Sequence, residues 1–178
     1  MTLSKEAYQA LEAIVGPDHI SDDPAVCYAD AFIFPHTGET FLLEQIEKGN
    51  GHFSPRPEAV LLPGSTEDVQ AIVRVCNQYR IKLRASSTSW AFWATPQTEG
   101  AIFLDMRRMN RILEIDEKNM FAVIEPYVIA AQLQAEAMKV GLNCNMIGAG
   151  ASCSPLAQST SGGGHGPPSL YTGHASEV

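Results

Sequence analysis

Basic residues are scarce in this chain: twelve Lys and Arg stand against twenty Asp and Glu among 178 residues, giving a formal net charge of -8 and a pI near 5.0. That balance repels phosphate backbones and anionic lipid, and no basic cluster offsets it, so nucleic-acid binding is excluded as a function class. Long apolar runs are missing too. Nothing approaches the roughly 18 residues that a membrane span needs, and the N-terminus, MTLSKEAYQALEAIVG, is an amphipathic helix pattern without the apolar core of a signal peptide. The four cysteines, Cys27, Cys76, Cys144 and Cys153, are far apart and fit none of the paired spacings of zinc or iron-sulfur sites. No metal centre is expected, and four unbridged thiols suit a reducing compartment. No segment repeats. A Lys-Ser/Thr pair after a Gly-rich loop is lacking, which excludes a P-loop. Gly148-Ala149-Gly150 opens like a dinucleotide fingerprint, but Cys153 stands where the third glycine belongs and Ser154-Pro155 where a helix should begin. These absences leave a cytoplasmic chain, or a soluble subunit docked to a partner.

What is present is a globular composition, 45% hydrophobic and 18% charged, enough for one substantial core or two small ones. Residues 3–15 form a first helix ended by Gly16-Pro17, and residues 19–51 are polar and irregular. AVLLP then reads as a short strand. Ser65 is an N-cap, Asp68 completes a capping box, and Val69, Ile72, Val73 and Cys76 form the apolar stripe of a helix over TEDVQAIVRVCNQYR. IKLRA and AIFLDM are two further strands, so residues 57–105 are expected to make a small parallel α/β unit. RILEID and NMFAVIEP look like an antiparallel hairpin turning around Asp116 and Asn119. Residues 129–140 follow as a helix with Leu133 and Ala137 on its apolar face, ended by Gly141.

Two stretches of small residues sit where backbone amides could converge on an anion. They are residues 84–89 (RASSTS) and 148–166 (GAGASCSPLAQSTSGGGHG). The composition of the second is equally that of a linker, with Cys153 expected to be exposed there. His165 and His174 lack the Ser, Asp or Cys neighbours of a triad and read as surface histidines, so no catalytic residue is assigned. Trp90, Phe92 and Trp93 suit a lid on the core or a platform for a flat ring, and Asp22-Asp23 and Glu44/Glu47 read as solvated faces.

PEAVLLPGSTEDVQAIVRVCNQYRIKLR, AIFLDMRRMNRILEIDEKNMFAVIEPYV and AQLQAEAMKVGL, in this order and spacing, resemble the FAD-binding domain of the vanillyl-alcohol oxidase and p-cresol methylhydroxylase superfamily. The glycolate oxidase subunit and D-lactate dehydrogenase branch is similar to an equal degree. The likeness runs over residues 56–173 and is most specific in the LDM block, MNRILEID and VIEP.

The resemblance implies an α+β fold of the PCMH type. Residues 1–55 would be a lead-in, 56–110 a small parallel subdomain and 111–178 the start of a second subdomain, with FAD between the two. It assigns the pyrophosphate to Arg84, Ala85, Ser86, Ser87, Thr88 and Ser89, where the family usually carries glycines at three of the positions. Further cofactor contacts would come from Pro126, Gly148, Ser152, Cys153, Ala157, Gln158, Gly162, Gly163, Gly164 and Gly173, and the two loops are expected to meet at one edge. Residues 84–89 contain no His for covalent attachment of flavin. Cys153 ahead of three glycines is similar to the Cys that another branch uses for it.

Such proteins continue into further strands and a substrate-covering cap, so the chain is expected to be an N-terminal part. Its AVIEP strand and 129–140 helix would each keep an unpartnered apolar face, and the chain would be marginally stable or associate with itself or a partner chain. Two functions follow. One is the FAD-binding portion of an oxidoreductase acting on a small alcohol, phenol or 2-hydroxy acid, with the catalytic part elsewhere; the other is a non-catalytic split or degenerate subunit that serves in assembly.

Overall fold

The computed structural model describes residues 3–31, 43–44, 46–49, 53–89, 95–96, 98–144 and 151–157. They divide into two compact units, Met1–Arg108 and Met109–Val178.

The first unit opens with α1 (Lys5–Val15), capped by Ser4, whose hydroxyl accepts from the Ala7 N–H, and stopped where Gly16 turns to φ 86°. Ala7, Leu11 and Val15 recur at helical spacing and are its buried residues. β1 (Ile20–Ser21) and α2 (Pro24–Ala29) follow, the latter started by an Asp23 cap and Pro24 in its first turn. Both lie in the stretch expected to be irregular. A two-residue strand and a six-residue helix are too short to leave a hydrophobic period.

β2 (Val60–Leu61), α3 (Thr66–Tyr79), β3 (Lys82–Ser86) and β4 (Ala101–Asp105) complete the unit. The sheet order is β1-β2-β4-β3, with β2, β4 and β3 parallel and β1 antiparallel at one edge. β4 is the central strand, and all five of its residues are buried, as a strand covered on both faces requires. Phe103, Val60 and Cys27 form a core cluster, with Leu62 packed against it.

α3 packs against α1 through a narrower face than its sequence stripe suggested. Ile72 and Cys76 are buried, whereas Val73 is 37% exposed and lies at the margin of that face. Burial pushes the Cys76 thiol up to about 11, so it behaves as a small hydrophobe. The helix ends on Arg80 at φ 56°, a left-handed conformation in which a β-carbon is strained. Arg80→Gly is therefore expected to raise stability by about 0.5–1 kcal/mol in a chemical denaturation series. A loss of stability would show that the Arg80 side chain has a supporting role.

The second unit contains the hairpin β5 (Ile112–Asp116) and β6 (Phe121–Ile124), followed by α4 (Ala130–Lys139). Asp116 shapes the turn by accepting from the N–H groups of Lys118 and Asn119 and from the Asn119 amide, and these bonds lower its pKa. At the open end Glu125, 6% exposed, accepts from the Arg111 N–H at 2.7 Å and from the Arg111 guanidinium at 2.7 and 3.1 Å. These bonds hold its carboxyl below the usual carboxylate range, against the opposing effect of burial.

A carboxyl whose folded pKa is depressed stabilises fully above its unfolded value, about 4.3 for Glu, and loses that contribution as pH falls through the folded value. Glu125→Gln is expected to cost about 1–3 kcal/mol at neutral pH. The gap from the parent chain should close in acid denaturation curves below about pH 4. A gap independent of pH would contradict the ion pair.

Val123 of the AVIEP strand is exposed, in line with the unpartnered face expected there, and Phe121 just before it is exposed as well. The helix corrects its part of that expectation. Ala130, Leu133 and Ala137 of α4 are all buried, so its apolar face is covered within the chain.

Candidate functional site

Parallel strands deliver their C-terminal ends to one edge of a sheet, and open α/β sheets bind ligands outside that edge. In the first unit this edge carries Ser86 opposite Asp105 in the β3–β4 register, together with the turn after Leu61.

In that turn Ser65 accepts from the Asp68 N–H at 3.1 Å, while the Asp68 carboxylate accepts from the Gly64 N–H at 2.8 Å. The expected capping box thus reaches one residue further back than its usual partner. A β-carbon at Gly64 would stand 2.8 Å from a guanidinium nitrogen of Arg108, the end of a flexible side chain that can move aside, and that guanidinium donates to the Leu62 carbonyl at 2.7 Å. Asp105 is buried and accepts from the Arg107 N–H and guanidinium. Burial, and then the Asp105 charge, push Asp30 up, with Arg107 opposing.

Residues 84–89 leave the sheet from β3. Arg84, Ser87 and Thr88 are half-buried, Ala85 and Ser89 exposed, and Ser86 buried. The Ser86 and Ser89 hydroxyls lie 2.8 Å apart, and Ser89 sits at φ 51°. Arg84 keeps one buried donor, its Nε, without a hydrogen-bond partner among the described residues. A donor desolvated in this way costs about 1–3 kcal/mol, and it fits an anionic group supplied from outside the chain.

The second unit gathers another set of the expected residues. α4 has no side-chain cap at Ile129. Its first N–H groups are taken instead by loop carbonyls, Ala130 donating to Cys153 and Ala131 to Ala151, both at 2.9 Å. Ser154 donates to the Pro126 carbonyl at 2.8 Å and accepts from the Ala157 N–H at 3.3 Å. Pro126, Ser152, Cys153 and Ala157 therefore lie in one backbone-held cluster, with Ser152 exposed. Cys153 corrects the expectation of an exposed thiol: it is 3% exposed, because the loop turns inward to cap the helix.

Gly148, Gln158, Gly162, Gly163, Gly164 and Gly173 lie outside the described residues, as do Trp90, Phe92, Trp93, His165 and His174. Asp105 and Ser154 are buried polar residues of these two regions that sequence reading passed over. Asp105 looked like the end of a strand, and Ser154 only like a break in a glycine motif. Among the described residues, no helix is long and apolar enough to cross a membrane.

The family model described as FAD binding domain matches residues 57–178. D-2-hydroxyglutarate dehydrogenase of Stutzerimonas stutzeri (strain A1501) is 39% identical over 92 residues, 51% of this chain and 20% of that protein. Glycolate oxidase subunit GlcD of Bacillus subtilis (strain 168) is 35% identical over 83 residues, 46% of this chain and 17% of that protein. The chain thus spans about a fifth of the length of these curated relatives. The solved structure of p-cresol methylhydroxylase with substrate bound superposes with a TM-score of 0.69 at 23% identity, over 86% of this chain and 28% of that one. A parallel α/β unit followed by a hairpin and helix, with the family match running over residues 57–178, places this chain in the PCMH-type FAD-binding domain superfamily.

Proposed function

We propose that this chain is the FAD-holding part of an oxidoreductase that oxidises a small 2-hydroxy acid. Residues 84–89 would hold the pyrophosphate, and the cluster of Pro126, Ser152, Cys153 and Ala157, continued by Gly148, Gln158, Gly162, Gly163, Gly164 and Gly173, would line the rest of the cofactor. Bound FAD supplies the hydride acceptor. The residues of this chain position it, and the substrate would be covered by a cap outside the 178 residues.

The observation that carries the reading is the buried Nε of Arg84 on β3, without a hydrogen-bond partner among the described residues, in a family whose matched domain binds FAD. A 2-hydroxy acid is preferred to a phenol because the two curated relatives above are named for 2-hydroxyglutarate and glycolate. Residues 56–110 and 111–178 would act as the two halves of the domain. A cytoplasmic site suits four cysteines, all among the described residues, that form no disulfide.

Anaerobic mixing of the full-length protein with candidate substrates tests the reading. The flavin absorbance should bleach with a 2-hydroxy acid and persist with a 4-alkylphenol. Bleaching by the phenol alone would move the protein to the other branch, and bleaching by neither would remove the oxidoreductase assignment.

A further inference from the structure

Ser154 is completely buried, and its hydroxyl works in both directions: it donates to the Pro126 carbonyl at 2.8 Å and accepts from the Ala157 N–H at 3.3 Å. The second bond is that of an N-cap. Residues 155–157 turn helical directly after Ser154, with Pro155 in the first position, where a missing N–H costs nothing. The first bond reaches 28 positions back along the chain, to a segment that is itself fixed.

That segment is anchored to the start of the hairpin, where the Glu125 N–H donates to the Arg111 carbonyl at 2.9 Å and the Tyr127 N–H to the Met109 carbonyl at 2.8 Å. A few residues on, Ala130 and Ala131 donate to the carbonyls of Cys153 and Ala151. Pro126, Ala130 and Ala131 thus each hold one bond to the loop. Of these three, the bond from Ser154 is the one made by a side chain, so a substitution can remove it and leave the backbone bonds in place.

Residues 151–154 are Ala, Ser, Cys and Ser, and a loop of such small residues gives up much freedom when it closes on a ligand. A bond already made in the folded apo-protein takes that ordering out of the binding step. We propose that Ser154 is a positioning residue that sets the cofactor-lining loop in its binding conformation before FAD arrives, acting through Pro126 and Ala157 and not on the flavin itself. This rests on the reading of residues 151–157 as part of the FAD lining.

The test is amide hydrogen exchange on the full-length protein, with and without saturating FAD, alongside FAD affinity by flavin fluorescence titration. In the unmodified apo-protein, residues 151–157 should already be protected, and FAD should add little there. This arm needs no variant: protection that appears only with FAD would overturn the proposal. In Ser154→Ala, exchange in residues 151–157 of the apo-protein should be about 10-fold faster, with α3 unchanged, as expected for the loss of a local hydrogen bond. FAD affinity should fall about 3- to 30-fold, and saturating FAD should restore the protection, because ordering now accompanies binding.

Parent-like affinity in Ser154→Ala would overturn the role toward the cofactor. Faster exchange in α3 as well, with no protection regained on adding FAD, would make the hydroxyl a general structural group and overturn it too. Failure of the unmodified protein to bind FAD would instead remove the underlying reading, so the two failures are distinguishable.

Discussion

Phe103→Ala is expected to destabilise the protein by about 3–5 kcal/mol, a large part of the roughly 5–15 kcal/mol that holds a domain together. Phe103 is 1% exposed and lies at the middle of β4, the central strand, opposite Val60 on one side and Arg84 on the other. It also closes the cluster with Cys27, so its loss leaves a cavity flanked by parallel strands on both sides, where collapse is hardest. Ser86 lies two residues beyond Arg84 on β3 and pairs with Asp105, so loosening β4 also loosens the register that presents residues 84–89. Denaturant titration followed by far-UV circular dichroism measures the effect. A loss under about 1 kcal/mol would mean that the sheet core is not packed as described.

Arg84→Met should behave in the opposite way. Methionine keeps an apolar stem of similar length and removes a buried donor that has no partner among the described residues. The apo-protein should therefore melt at the same temperature or higher, up to the roughly 1–3 kcal/mol that an unsatisfied buried donor costs. FAD affinity should fall about 10- to 100-fold, since the guanidinium would be a charge-assisted partner of the pyrophosphate. A structural arginine would give the reverse pattern, with stability lost and affinity kept. Thermal melting with and without saturating FAD separates the two outcomes.

Much of the fold was legible because its main elements obey strong local rules. Ser65 begins a helix with a repeating apolar face, Ala101 to Asp105 are apolar enough for a strand buried on both sides, and Asp116 and Asn119 mark a tight turn. β1 and α2 escaped because pairing with β2 and a single Asp23 cap define them, and neither leaves a period. Val73 was misplaced because a helix packed on one neighbour buries a narrower stripe than its apolar residues span.

The site divides in the same way. Residues 84–89 announce themselves by small side chains after a strand. The Ser86–Ser89 bond depends on a backbone angle that composition does not encode. Glu125 and Arg111 are separated by 14 positions and meet only once the hairpin register is set. Cys153 looked exposed by composition and is buried because α4 lacks a side-chain cap and draws the loop in.

The most direct test of the central claim is equilibrium titration of the full-length apo-protein with FAD, following flavin absorbance and fluorescence in parallel with Arg84→Met. Saturable, stoichiometric binding with a perturbed flavin spectrum, weakened in Arg84→Met, is the predicted result. An unperturbed spectrum with FAD in excess, or binding that Arg84→Met leaves unchanged, would contradict the assignment of this edge of the sheet to the cofactor.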